Sequence, residues 1–179
     1  SFKLSPGASY VTNRRSVSFF PSGSDSYSPA SGVKVIKIKL NGTDWLDPST
    51  VKLMFTLNNT SASGDMTFLS GPHSFFRRMR IICNGQICED IDDYNRLCEM
   101  MLVLSSSQTR ANDAIEGMPA WDSAGGPETL ANSKKKKMGM KILSGLLNQN
   151  KMFPIRYAPL EIELELVNNF TDCQVGATS

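Results

Sequence analysis

Hydrophobic and polar residues alternate with a period of two along several short stretches of this chain. The clearest is residues 160–166, where leucine and isoleucine alternate strictly with glutamate. Residues 33–40 and 51–57 show the same period, which is expected of strands with one buried face. Residues 75–83 predict a further strand, and residues 16–20 a short one in a leader that is rich in Ser, Pro and Gly. The pattern therefore predicts an all-β protein.

Turn and helix signals complete this pattern. Asn84 and Gly85 form the dipeptide typical of a two-residue hairpin turn, so residues 86–89 are expected to return antiparallel to residues 75–83. Asp92 or Asp93 can cap a helix that runs to Leu104. Its apolar face has helical spacing and comprises Tyr94, Leu97, Cys98, Met101 and Leu104. The apolar segment around Met140 fits a strand or a short helix, and its sequence does not decide between them.

About seven strands and one helix fit a jelly-roll antiparallel β-sandwich with one short inserted helix and a long loop. An immunoglobulin-like sandwich is the alternative, although it seldom needs a central helix. The long loop covers residues 105–133, where periodicity disappears. We predict an extended N-terminal arm with one strand over residues 1–32. The jelly-roll domain then covers residues 33–179, either alone or as the first of two in a longer protein.

Composition narrows the functional classes. The formal net charge is only +2, far from the strongly basic balance of a domain built to coat nucleic acid. No apolar run reaches the roughly 18 residues of a membrane span, so none is expected. The four cysteines match no zinc or CxxC pattern, and buried free thiols are favoured. We expect no cofactor and no metal.

Candidate catalytic residues are few. His73 is the only histidine and follows Gly71 and Pro72 in a predicted turn, and no serine or cysteine has a recognisable nucleophile motif. The acidic cluster Glu89, Asp90, Asp92 and Asp93 lacks the order of a calcium-binding loop. Capping of the following helix and complementation of its dipole explain the cluster more simply. The sequence thus predicts a protein that is not an enzyme and has no small-molecule substrate.

Basic and aromatic residues are the candidate contact sites. Arg77, Arg78 and Arg80 share one predicted strand. Strict alternation places Phe76, Arg78 and Arg80 on one face, so both faces of the strand are mixed; the other face carries Phe75, Arg77, Met79 and Ile81. Salt bridges at a subunit interface are favoured for them over nucleic-acid binding. Trp121, in the long loop, is a further candidate for partner contact. Four lysines follow that loop and form an import signal, a nucleic-acid patch or, more simply, a solvated basic loop; they are Lys134, Lys135, Lys136 and Lys137.

Three segments carry a resemblance to a known family. Residues 74–81 (SFFRRMRI), the turn 84–86 (NGQ) and residues 89–96 (EDIDDYNR) resemble the strand, turn and short helix of double jelly-roll major capsid proteins. Those proteins belong to polinton-like viruses, virophages, adintoviruses and nucleocytoplasmic large DNA viruses. Residues 153–156 (FPIR), leading into the alternating strand at 160–164, look like late strands of the family's first jelly roll. The resemblance spans about residues 75 to 166, with gaps.

The resemblance implies a structural capsid subunit, in the virion, that assembles in the host cytoplasm or nucleus into an icosahedral shell around double-stranded DNA. Its partners would be copies of itself, as trimers or pentamers, other capsid proteins and, without sequence preference, viral DNA. The length departs from the family, since 179 residues supply only one jelly roll. The chain would then be the first half of a longer protein, a single jelly-roll or penton protein, or a fragment.

Other functions stay open. The alternative is a carbohydrate- or receptor-binding β-sandwich or a nucleic-acid-binding module. Sugar binding would use exposed aromatic residues such as Trp45, Trp121 and Tyr157. A cupin-like enzyme is disfavoured because its metal site usually needs several histidines.

Overall fold

The computed structural model describes residues 13–32, 34–68, 70–109 and 129–175. In these ranges the strands pair antiparallel throughout, so the predicted all-β class is confirmed. In chain order the elements are β1 (Val35–Leu40), β2 (Lys52–Asn58), β3 (Met66–Phe68), β4 (Phe76–Cys83), β5 (Gln86–Ile91), helix α1 (Tyr94–Leu104), β6 (Thr129–Leu130), β7 (Lys135–Lys141), β8 (Leu160–Leu166) and β9 (Gln174–Val175).

The larger sheet has the order β1-β8-β4-β5, so the alternating strand β8 lies in its interior. The leucine and isoleucine side chains of β8 are all buried, as the period of two predicts. Its glutamates lie on the other face, opposite lysines of β1 and arginines of β4. One face of this sheet is therefore core and the other is charged.

Strand β2 pairs with β7 in a second, two-stranded sheet, and β6, β3 and β9 form a small third one. Leu53, Phe55 and Leu57 of β2 turn towards the core, and the ring of Phe55 meets that of Phe76 on β4 edge to face, with centroids 5.5 Å apart. The first two sheets thus pack their apolar faces together. The apolar segment around Met140 is the second half of β7, followed by a turn at residues 145–148.

Strand β4 contains a β-bulge that changes the predicted faces. Phe76 pairs with Leu166 and Arg78 with Glu165, so Arg77 is an extra residue between them. Because one inserted residue reverses the alternation, Phe76 is buried with the core and not on the side of Arg78. The predicted face of Phe76 was wrong for this reason. The hairpin prediction is confirmed, since Asn84 and Gly85 both have positive φ angles, of 49° and 81°.

The acidic residues before α1 have individual partners. Asp93 is the N-cap, but it adopts the left-handed conformation and its side chain makes no capping hydrogen bond. Glu89 instead accepts a hydrogen bond of 2.6 Å from the Leu146 backbone N–H, and Asp90 pairs with Arg78. The predicted N-cap position of Asp93 is confirmed, but capping by its side chain is wrong. The acidic side chains tie β5 to β4 and to the turn after β7.

The N-terminal strand prediction was also wrong. Residues 16–20 belong to no strand, and the described arm pairs with β1 through a bridge between Pro21 and Ile38 and a 2.8 Å hydrogen bond from the Ser22 N–H to the Lys37 carbonyl. Residues 1–12 lie outside the described ranges. The four cysteines are free, as predicted, but only Cys98 and Cys173 are buried. In the described part of the chain, no helix has the length and apolarity to cross a membrane.

Candidate functional surfaces

A network of ion pairs covers the outer face of the larger sheet. We call this face, with Lys37, Lys39, Arg78, Arg80, Asp90, Glu161, Glu163 and Glu165, the charged face. Strand register creates it, because Lys37 lies opposite Glu163, Glu163 opposite Arg80, and Arg80 opposite Asp90. Opposite charges on directly facing positions stabilise a sheet.

Glu163 and Asp90 are the two carboxylates that hold this network together. Glu163 contacts the ammonium group of Lys37 and accepts from Arg80 Nη1 at 3.3 Å. The guanidinium of Arg78 makes a bidentate ion pair with Asp90, donating from Nε to Oδ1 at 2.8 Å and from Nη2 to Oδ2 at 2.7 Å. This pair lowers the pKa of Asp90 and raises that of Arg78, since each charge favours the other. The predicted interface residues Arg78 and Arg80 therefore already have partners within the chain.

Arg77 is separated from the other two arginines by the bulge. Its Nη2 lies 3.5 Å from Asp92 Oδ1, beside the start of α1. Its Nε is buried without a hydrogen-bond partner. The structure thus brings Arg78 and Arg80 together and leaves Arg77 apart. Trp121 lies outside the described residues, and the subunit-interface role of all four remains a prediction.

The lysine run belongs to a strand. Lys135, Lys136 and Lys137 pair with Asn58, Leu57 and Thr56 of β2, so their interpretation as a solvated loop is wrong. Alternation exposes Lys135 and Lys137 and turns Lys136 inward, where partial burial lowers its pKa. Lys134 is exposed and precedes the strand, and its carbonyl accepts from the Asn59 backbone N–H at 3.0 Å. Two of the four lysines therefore share the outer face of β7.

The last turns of α1 expose an apolar surface that the sequence pattern did not predict. Tyr94 and Cys98 are buried, as expected of the apolar face. Farther along the helix, large apolar side chains are 44% to 76% exposed; they are Met100, Met101, Val103 and Leu104. We call these four residues the apolar end of α1. Adjacent apolar side chains on a surface are typical of contact sites.

Ser70, His73 and Glu99 form a polar cluster between a short 3-10 turn and α1. His73 Nε2 lies 3.1 Å from Glu99 Oε2 and 3.3 Å from Ser70 Oγ, and the same serine donates to Glu99. A hydrolytic triad needs the acid and the serine on different ring nitrogens, whereas here both meet Nε2. The cluster therefore links Ser70 and His73 to the helix. Sequence reasoning missed it because Glu99 lies 26 residues from His73.

The His73 cluster predicts a dependence of stability on pH. Burial lowers the pKa of His73, partly opposed by its hydrogen bond to Glu99. Because the unfolded chain then binds the proton more readily, stability is complete above the ordinary pKa of about 6.5 and falls as the pH drops through it. Urea unfolding at pH 7.5 and 5.5 measures this loss, and His73→Gln should reduce it. Equal or greater stability at pH 5.5 for the unsubstituted protein would contradict the assignment.

Two sequence comparisons give no match for this chain. No protein-family model matches it, and no curated protein matches it significantly. A proposal about function therefore depends on the strand pairing and on the surfaces described above.

Proposed function

We propose that this chain is a structural subunit of a viral capsid, a jelly-roll domain that associates with copies of itself into an icosahedral shell around DNA. The observation that carries the proposal is the order in which the strands pair. Strand β1 pairs with β8, β2 with β7, β3 with β6, and β4 with β5. Among β1 to β8, these pairs run from the outermost pair inwards, while β4 also pairs with β8 and β3 also pairs with β9.

Nested antiparallel pairing is expected when the two halves of a chain lie antiparallel as one long ribbon and this ribbon is then wound into a sandwich. That winding is the origin of a jelly roll. In this chain the β4–β5 hairpin adjoins β8 in the larger sheet, while β2 and β7 form the opposite layer. The pairing order supports the jelly roll over the immunoglobulin-like alternative. In that alternative, strands that pair in a sheet are more often consecutive in the sequence.

Self-association is supported by the apolar end of α1. Interfaces between subunits bury large apolar side chains at their centre and carry charged residues at their rim. Met100, Met101, Val103 and Leu104 supply the first feature. The charged face supplies rigidity, since its ion pairs join all four strands of the larger sheet. A rigid sheet with an apolar contact at one end suits a shell subunit, which needs shape rather than chemistry.

A carbohydrate or receptor ligand is the second candidate. Trp45 and Tyr157 are 52% and 73% exposed. Trp45 precedes Leu46, and Tyr157 follows Phe153 by four residues; Leu46 and Phe153 form an isolated bridge. The guanidinium of Arg156 lies 5.7 Å from the ring centroid of Tyr157. Exposed aromatic rings beside a cation can stack on a sugar. The capsid proposal ranks above it because the strand order and the apolar end of α1 both support it.

Light scattering and negative-stain electron microscopy across protein concentration test the proposal. We expect trimers, pentamers or larger particles. The double variant Met101→Gln/Leu104→Gln should need at least about tenfold more protein for the same assembly, since each buried large apolar side chain contributes about 1.5–3 kcal/mol. Met152→Gln/Tyr157→Gln is the matched control, because it also removes two exposed large side chains but leaves α1 intact.

Three outcomes separate the readings. A monomer at every concentration would contradict the capsid proposal. Equal loss of assembly in both double variants would show that the apolar end of α1 is not the contact between subunits. A glycan-array signal that disappears only with Met152→Gln/Tyr157→Gln would favour the second candidate.

A further inference from the structure

Two cysteines lie side by side near the tip of the β4–β5 hairpin. Cys83 is the last residue of β4 and lies directly opposite Gln86, the first residue of β5. The thiol of Cys88 points back towards the same place, because it donates to the backbone carbonyl oxygen of Gln86 at 3.7 Å. The two thiols meet beside this residue and form a hydrogen bond with each other.

A second β-bulge, in β5, brings the two thiols together. Ile82 pairs with Ile87 and Ile81 with Glu89, so Cys88 is the extra residue of the bulge. In a regular hairpin with the same turn, Cys88 would instead lie opposite Ile81, two residues from Cys83. A bulge bends its strand and increases the local twist. The Cys88 side chain can therefore turn towards the end of the hairpin, where Cys83 lies.

The two thiols differ in exposure, and this difference fits a stepwise exchange reaction. Cys88 is exposed, whereas Cys83 is partly buried against the core. Burial, and then the neighbouring Cys88 thiol, raise the pKa of the Cys83 thiol. An accessible thiol reacts first with an external disulfide, and a thiol in contact with it can then displace the external group. Cys98 and Cys173 are buried in the core and lack this access.

We propose that Cys83 and Cys88 form a reversible disulfide when the protein meets a small-molecule disulfide such as oxidised glutathione. The Cys88 thiolate attacks the external S–S bond, which forms a mixed disulfide and releases one external thiol. The Cys83 thiolate then attacks the Cys88 sulfur, which forms the internal bond and releases the second. Two protein thiols are oxidised, one external disulfide is reduced, and the two protons end on the released thiols.

The crosslink would act on the edge of the larger sheet. Strand β5 is an edge strand, paired within this sheet to β4. A covalent bond between Cys83 and Cys88 would keep the two strands from separating at the turn. Local opening controls the exchange of backbone amide hydrogens with solvent. We therefore expect oxidation to slow amide exchange in β5 and to leave exchange in β1 unchanged.

Mass spectrometry of the full chain after treatment with oxidised glutathione tests the proposal. Trypsin cuts after Arg80 and Arg96, and the peptide between them contains Cys83 and Cys88 but neither of the other cysteines. After the remaining free thiols are blocked, this peptide should be about 2 Da lighter than its unblocked reduced form, because an internal disulfide removes two hydrogen atoms. Dithiothreitol should restore the original mass and the reaction of both cysteines with the blocking reagent.

Cys88→Ser should abolish this mass loss, and Cys98→Ala is the matched control, since it also removes one thiol but retains the pair. We expect the control to lose the same mass as the unsubstituted protein, and urea unfolding establishes that each variant is folded. Glutathione that stays on Cys88, a covalent dimer, or a peptide of unchanged mass would overturn the proposal. The result on the unsubstituted protein decides even where a variant does not fold.

This inference depends on the hairpin alone and is independent of the capsid proposal. A monomeric protein that forms the internal disulfide would retain the redox-active pair and reject the shell. A protein that assembles but leaves both thiols free under oxidised glutathione would do the opposite.

Discussion

Replacing Phe75 by alanine is expected to lower the free energy of unfolding by about 3–5 kcal/mol. Phe75 is buried in the 3-10 turn before β4, and its ring meets three others edge to face. The ring centroids of Phe55, Phe68 and Phe170 lie 6.2, 5.8 and 5.9 Å away. Because Phe55 belongs to β2 and Phe68 to β3, one ring joins the turn to two further sheets. Urea unfolding followed by tryptophan fluorescence measures the loss.

Two controls accompany this variant. Phe75→Leu keeps most of the apolar volume and should cost clearly less than alanine. Phe20→Ala removes a ring that is 79% exposed and should change stability by no more than about 0.5 kcal/mol. If Phe75→Ala were as mild as Phe20→Ala, the ring would not be the link between the sheets.

The second large effect is expected at the centre of the charged face. Glu163→Gln should lower the free energy of unfolding by about 2 kcal/mol at pH 7, because it leaves Lys37 and Arg80 close together without their common carboxylate. The side chain of Glu163 is only 9% exposed. The loss stays below the roughly 3–5 kcal/mol of a fully buried pair because both cations reach water. Chemical unfolding at low and high salt measures it.

Glu161→Gln is the matched control on the same strand. Glu161 has one ion pair, with Lys39 at 3.8 Å, and is more exposed, so the change should be within about 0.5 kcal/mol. A double-mutant cycle of Glu163→Gln with Lys37→Gln should give a favourable coupling that decreases as salt is added. No coupling, together with equal losses at both glutamates, would reject Glu163 as the centre of the network.

The regular parts of the fold could be predicted from the sequence because each has a local cause. Apolar and charged residues alternate without interruption along strand β8. Asn84 and Gly85 supply the positive φ angles of the turn between β4 and β5. The start of α1 follows from helical spacing. In these places residue type and pattern agree, so tertiary structure has nothing to override.

The candidate surfaces depended on long-range contacts and were predicted less well. The residues around Arg77 give no sequence signal for a bulge. The one extra residue in the strand nevertheless reverses which side chains share a face. Four successive lysines favour a loop, but three of them belong to a strand that pairs with β2. The helical pattern predicted Met101 and Leu104 on the buried face, but both side chains are exposed. Periodicity does not show how far a helix extends beyond the part of the core that it packs against.

The central position of β8 has a consequence for how the protein folds. Its neighbours β1 and β4 both precede it, and residues 41–159 separate β1 from β8. Closing so long a loop is slow compared with forming α1 or the β4–β5 hairpin, whose contacts are local. During synthesis on the ribosome, β1 and β4 therefore lack the strand that lies between them until β8 has been made. Until it emerges, Lys37 and Arg80 have no Glu163, and the edges meant for β8 are open to other chains.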